Sequence, residues 1–390
     1  MVIRVGTIQA TDMDNSFFER YRREFPIIGN YIYLDHAGVS PLSLRVTTAI
    51  EAFLAESVRG AAFHYPRWTQ QVVAARRACA KLLHARPEEV AFVKSTSHGL
   101  SLVASGLDWR PGDRVLVYEK EFPSNLYPWL HLKRKGVEIV TIPFRDGRIR
   151  VDDIESRIDA RTRLLAISSV QFTNGFAVDL GALGRLCRRR SVLFCVDAIQ
   201  SLGVLPMDVQ AFQIDFLSAD AHKWLLGPEG IGVFFCRQEL AGRLEPALVG
   251  WKSVQNELAF ENPHFQLKRD ALRFEEGSQN LLGIVGLGAA LDLLLEVGID
   301  AIAERVLALG DGILRGAEAR GFTVLTPKEK HARGGNITFA GPFDALKMRD
   351  GLRAQGIMVN VRAGGLRVSP HFYNTVQELE RFFAVLDTMI

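Results

Sequence analysis

The sequence predicts an α/β fold: a large domain whose mainly parallel seven-stranded sheet lies between helices, followed by a smaller α+β domain. Three observations lead there. Seven short, nearly continuous apolar runs recur between residues 90 and 236. Such runs are strands buried on both faces, the condition of a parallel sheet. Helix-period segments separate most of them, as parallel strands require. From about residue 281 the pattern changes to short strands mixed with helices, and 390 residues are enough for both units.

The elements follow in order. Residues 1 to about 14 form a loose arm without the apolar core of a signal peptide. Residues 15–40 are expected to pack on the small domain, 41–280 to form the large domain and 281–390 the small one. "QQVVAARRACAKLLHA" has helical spacing, and "EVAFVKSTS" is a strand that runs into a turn. "DRVLVYE" and "VEIVTIPF" are strands flanking a helix, "SNLYPWLHLKRKG", that Gly136 ends. "RTRLLAISSV" and "SVLFCVDA" flank the helix "DLGALGRLCRRR", and "DFLSADA" and "GIGVFFC" complete the sheet. A long helix near Ser278–Val297 leaves this domain. Beyond it lie helices and the strands "GNITFAG", "IMVNVR" and "GLRVSP".

Composition narrows the function. The 47 basic and 44 acidic residues are intermixed, leaving a net charge of +3. No strong field favours nucleic acid or an anionic membrane. The runs Arg188–Arg190 and Lys133–Lys135 suit helix carboxyl ends. The stretch "LLGIVGLGAALDLLLEVGI" contains Asp292 and Glu296, which fits a buried helix better than a membrane span. Cys79, Cys187, Cys195 and Cys236 form no CxxC pair. They read as reduced, buried thiols of a cytoplasmic protein, with no metal site.

Several strand ends carry polar residues that belong together chemically. Ser95, Thr96 and Ser97 open a helix, where free N–H groups, hydroxyls and the helix dipole suit a phosphate. An ordinary N-cap uses the same residue types. Asp197 directly follows an apolar strand, with Gln200 three residues on. In open α/β sheets ligands bind at such ends. Lys223 stands in "SADAHKWLLGPEGIG", among apolar runs where a charge is costly to bury. A lysine there is either a surface residue or a nucleophile whose pKa burial lowers. Phosphate cradle, acid and lysine in this order suit pyridoxal phosphate. The lysine forms an imine with its aldehyde, and the acid keeps its ring nitrogen protonated. Gln200 suits the phenolic oxygen, and Phe122 in "EKEFPSNLYPW" would stack on the ring.

The chain resembles the class V pyridoxal-phosphate-dependent aminotransferase family, which includes cysteine desulfurases, selenocysteine lyases and isopenicillin N epimerase-like proteins. The resemblance runs from "YIYLDHAGVSPLS" to "LRVSPHFYNTVQELERF" and is most specific in "DAIQSLGVLPMDV" and "DFLSADAHKWLLGPEGIG". It implies the PLP-dependent transferase fold type I and a homodimer with the active site at the interface. Lys223 would be the Schiff-base lysine, Asp197 the partner of the pyridine nitrogen and Gln200 that of the phenolic oxygen. Thr96 and His222 would touch the phosphate beside Ser95 and Ser97, and Ser278 would reach it from the partner subunit. Arg367 would clamp the substrate carboxylate, with the planar fork that role needs.

The chain also departs from the family. Phe122 replaces a common histidine, and Asp220 a serine, so the acid should turn from the phosphate or bond a neighbour. "QFTN" does not keep the usual asparagine spacing, so Gln171 is the candidate there. His36 is a candidate substrate contact or a satisfied structural histidine, and the roles of His98 and His371 stay open. Desulfurases carry a nucleophilic cysteine shortly before the arginine-bearing strand, whereas "IMVNVRAGGLRVSP" has none. The resulting expectation is an enzyme acting at Cα of a small amino acid, with an aminotransferase as the default. A lyase of the desulfurase or selenocysteine lyase type and an epimerase are the alternatives. Outside this class stand an NAD-dependent oxidoreductase, for which no G-x-G-x-x-G is found, and a non-catalytic scaffold for the cofactor.

Overall fold

The seven apolar runs form one sheet in the computed structural model, which describes residues 15–390. A short strand, β1 (Ile32–Tyr33), precedes them. The sheet then takes β2 (Val90–Val93), β3 (Arg114–Tyr118), β4 (Glu138–Ile142), β5 (Thr162–Ser168), β6 (Leu193–Asp197), β7 (Phe216–Asp220) and β8 (Gly232–Cys236). Their spatial order is β2-β8-β7-β6-β5-β3-β4. Only β8 runs against its neighbours, so the sheet is mainly parallel as expected.

The period-2 geometry of strands divides the core between the two faces. On β6, Phe194 and Val196 enter one buried cluster and Cys195 enters the other. Helices cover both faces. Among them, α1 (Asn15–Arg22) precedes α2 (Leu44–Gly60), which Ser43 caps, and α3 (Tyr65–Leu83). α4 (Thr96–Gly106) begins where Ser95 Oγ accepts from His98 N at 3.2 Å. The segment between β3 and β4 breaks into short turns around a single helical turn, Tyr127–Leu130. Pro123 and Pro128 each remove a donor, which prevents the one continuous helix expected there.

The second sheet has the order β12-β13-β10-β9, built from β9 (Thr323–Val324), β10 (Ile337–Ala340), β12 (Asn360–Arg362) and β13 (Gly365–Val368). Between its strands, β11 (Ile357–Met358) pairs in parallel with β1. Phe18, Tyr21 and Phe25 of the amino-terminal segment meet Phe372 through ring contacts. The helix Leu281–Val297 packs against α2 and α3. Most of its apolar residues are buried. Among the described residues no single helix is long and apolar enough to cross a membrane. All four cysteines are buried and unbonded to one another.

Candidate active site

Parallel strands bring their carboxyl ends to one edge, and the segments after β2, β3, β5, β6 and β7 carry the site. The backbone of Lys223 is pinned. Its carbonyl accepts from Ser40 Oγ at 2.6 Å and from Leu226 N at 3.0 Å. The Nζ lies 5.6 Å from the centroid of the Phe122 ring. Burial and the charge of Arg367 weaken the hold of Nζ on its proton, Asp197 and Asp220 oppose this, and the pKa falls to about 8.

Asp197 ends β6 and is fully buried. Burial pushes its pKa up to about 6, although Ile199 N donates to Oδ1 at 3.0 Å and Lys223 pulls it down. It stays mostly ionised at neutral pH. Gln200 donates from Nε2 to the Ala37 carbonyl (3.1 Å) and accepts on Oε1 from Trp224 Nε1 (2.9 Å). An amide nitrogen carries two hydrogens, so one donor remains for a ligand.

The phosphate candidates sit at the start of α4. Thr96 Oγ1 accepts from Asp220 N at 2.9 Å, tying α4 to the end of β7. The Thr96 carbonyl accepts from Ser218 Oγ (3.2 Å), and Ser97 Oγ donates to Ser124 Oγ (2.8 Å). A Cβ at Gly99 would lie 2.3 Å from Ser218 Oγ, so glycine lets the helix approach β7. Asp220 bonds its neighbours: Oδ1 accepts from Ala221 N (2.9 Å) and lies 3.1 Å from His222 Nδ1.

Arg367 lies on β13, paired with Thr338 on one side and Asn360 on the other. It is buried, and Nη2 donates to Asp35 Oδ1 at 3.0 Å. Gln171 is also fully buried, and neither polar atom of its side chain has a hydrogen-bond partner of normal geometry. Ser278 lines a separate cavity with Lys94, His98 and Gln279. The fold does not bring it to Lys223 of the same chain.

His36 is fully buried and hydrogen-bonded within the chain. Nδ1 donates to the Ser369 carbonyl (2.9 Å), and Nε2 accepts from the Tyr373 hydroxyl (2.8 Å). Both nitrogens are used, and burial lowers its pKa well below the ordinary histidine value. His371 is likewise structural. Its Nδ1 accepts from Phe372 N and its Nε2 donates to the Trp224 carbonyl, while burial pushes its pKa down to about 4.

Sequence reasoning passed over three residues. Glu121 is buried beside Phe122, where Oε1 accepts from Ser168 N at 2.6 Å and Oε2 pairs with Ser168 Oγ. Ser168 is the register partner of Asp197. Burial lifts the Glu121 carboxyl to about 8. The signal was available, since the acid stands next to a singled-out phenylalanine after an apolar strand. Asp35 and Arg362 have no such signal and appear only through the contacts they make with Arg367 and its strand pair.

The model of the aminotransferase class-V family matches residues 32–382. A probable cysteine desulfurase of Methanothermobacter thermautotrophicus is 31% identical over 391 residues, covering 93% of this chain and 95% of that protein. An uncharacterized aminotransferase of Bacillus subtilis, YcbU, is 28% identical and covers 93% and 95%. The apo structure of a cysteine desulfurase from Thermococcus onnurineus superposes with a TM-score of 0.87 at 26% identity, covering 95% of this chain and 98% of that one. Fold and site together define a pyridoxal-phosphate enzyme of fold type I. The chain belongs to the aminotransferase class-V family.

The residues present fit the cofactor. A desolvated amine, a buried carboxylate, a helix amino terminus and the spare amide donor of Gln200 meet at one edge of the sheet. A buried donor left over is costly unless something binds it.

Proposed function

We propose that the protein is a lyase that removes a sulfur- or selenium-bearing substituent from Cβ of a small amino acid by elimination. Two considerations support this reading, the first against transamination and the second against sulfur transfer to a protein thiol. A relative 31% identical and a solved structure with a TM-score of 0.87 carry the name cysteine desulfurase. The chain itself offers no thiol to accept sulfur, because all four cysteines are buried and β12 meets β13 through the two-residue turn Ala363–Gly364. The missing thiol is the observation that sets elimination apart from desulfuration through a protein persulfide. Elimination needs none: cysteine and water give pyruvate, ammonium and hydrogen sulfide, with no oxidant or reductant.

Pyridoxal phosphate supplies the carbonyl that captures the substrate amine and the conjugated ring that accepts the Cα electron pair. Lys223 and Asp197 would hold it, with Ser95, Thr96, Ser97 and His222 at the phosphate and Gln171 and Gln200 at the ring oxygen. Phe122 would lie on the ring face. Lys223 would take the proton from Cα, a task suited to an amine near pKa 8. Asp197 would hold positive charge at the ring nitrogen. Arg367 would orient the α-carboxylate. Ser278 would serve the partner's site in a homodimer. Large apolar side chains exposed on two segments favour that assembly: Val58, Phe63 and Tyr65 on one, and Leu248, Trp251, Phe260 and Phe265 on the other. Buried free thiols suit a reducing, cytoplasmic setting.

The lack of an acceptor thiol equally favours a second reading, an aminotransferase, which needs no such group. Incubation with L-cysteine, L-cystine or L-selenocysteine separates the two. The lyase releases pyruvate together with sulfide, persulfide or selenide and leaves no sulfur on the protein. Amino transfer that depends on an added 2-oxo acid, with no such release, supports the aminotransferase.

A further inference from the structure

Arg367 already has a counter-ion. Besides the bond to Asp35, Nη1 donates to the Phe172 carbonyl at 3.2 Å, while Nε is buried without a partner. Asp35 is held from its other side, since Oδ2 accepts from Asn360 Nδ2 at 2.8 Å. Its backbone bridges Ser369, next to the end of β13. A Cβ at position 38 would lie 2.5 Å from Asp35 Oδ2, so Gly38 leaves the carboxylate its place. Cross-strand partners share a face, and Asn360 is the partner of Arg367 on β12. Asn360, Arg367 and Arg362 therefore lie on one face, with the Asp35 carboxylate against the first two.

We infer that Asp35 is a specificity-tuning residue: it stays at Arg367 when an amino acid binds and lowers the affinity for the α-carboxylate. The inference rests on the proposed clamp role of Arg367. Two fixed donors hold Asp35, so it does not swing aside for the substrate. The substrate carboxylate adds to a guanidinium whose charge is already offset, and like charges a few ångströms apart repel where water is largely excluded. The repulsion acts on an α-amino acid and not on the corresponding amine, which has no carboxylate. A residue that only stabilised the fold would not separate the two.

The test is a titration of the cofactor absorbance of the holoenzyme with L-alanine and with ethylamine. Asp35→Asn removes the charge at nearly constant shape, and Asp35→Ser removes it with a smaller side chain. Both variants are expected to bind L-alanine about tenfold more tightly while leaving ethylamine within about twofold of the wild type. Arg367→Ala is measured alongside. If it weakens L-alanine while both Asp35 variants leave that affinity unchanged or weaker, the inference is overturned and the clamp stands. If Arg367→Ala does not weaken L-alanine relative to ethylamine, the clamp itself is lost and the inference with it.

Discussion

An amine with a pKa near 8 keeps a useful neutral fraction at physiological pH, and Lys223 reaches that value through burial and two nearby guanidinium groups. Replacing it with alanine should lower turnover by about 10²–10⁴-fold or more and abolish trapping of the cofactor by borohydride. Steady-state rates and the absorbance after reduction check both. Arg367→Ala should weaken carboxylate substrates by about 2–5 kcal/mol, the scale for truncating one partner of a buried charge pair. Spectral titration reads that loss. Glu121 carries a pH signature. Its carboxyl titrates near 8 in the folded protein against an ordinary 4.5. The folded state thus keeps a proton that the unfolded chain releases between those values, and stability falls as pH rises through that window. Glu121→Gln retains the neutral shape and removes the slope. The Tm of the variant should gain on the wild type steadily from about pH 5 to pH 8. A constant difference would mean that Glu121 is ionised throughout. Lys223, Asp197 and Phe122 were legible because each follows a strand that composition reveals. The choice between the two readings of His36 was not, because its partner carbonyl, Ser369, lies 333 residues away and nothing local reports it.

Elements hold these residues through close backbone approaches. Gly203 lies in the turn after Gln200 at φ 97°, and a Cβ there would stand 2.4 Å from the Trp224 carbonyl oxygen. Both the dihedral and the space exclude a side chain. Gly203→Ala should push the segment bearing Lys223 away from Asp197, with a loss of about 1–3 kcal/mol and a weaker hold on the cofactor. Denaturant unfolding and cofactor titration measure the two effects, and an unchanged variant would show that the turn yields freely. The main strands were readable as apolar runs, and α4 as a capped start, because periodicity and cap chemistry are local. The packing of the helix Leu281–Val297 was not readable, because a uniformly apolar helix records that it is buried, not against what. Packing on α2 and α3 decides that.

At the scale of the molecule, the strand ends converge on one edge of the sheet, while Ser278 lines a separate cavity. The proposed homodimer rests on that and on the exposed apolar side chains. Sedimentation should give twice the 43.4 kDa chain mass, and Phe260→Asp with Phe265→Asp should shift it to monomer and lower cofactor affinity. Dimeric mass in the double variant would move the interface elsewhere. The central claim is the covalent tie between Lys223 and pyridoxal phosphate beside Asp197. Its most direct test is borohydride reduction of the holoenzyme followed by digestion and mass spectrometry. The account predicts a reduced pyridoxyl adduct on the peptide containing Lys223. The same peptide recovered unmodified from protein saturated with the cofactor would contradict it.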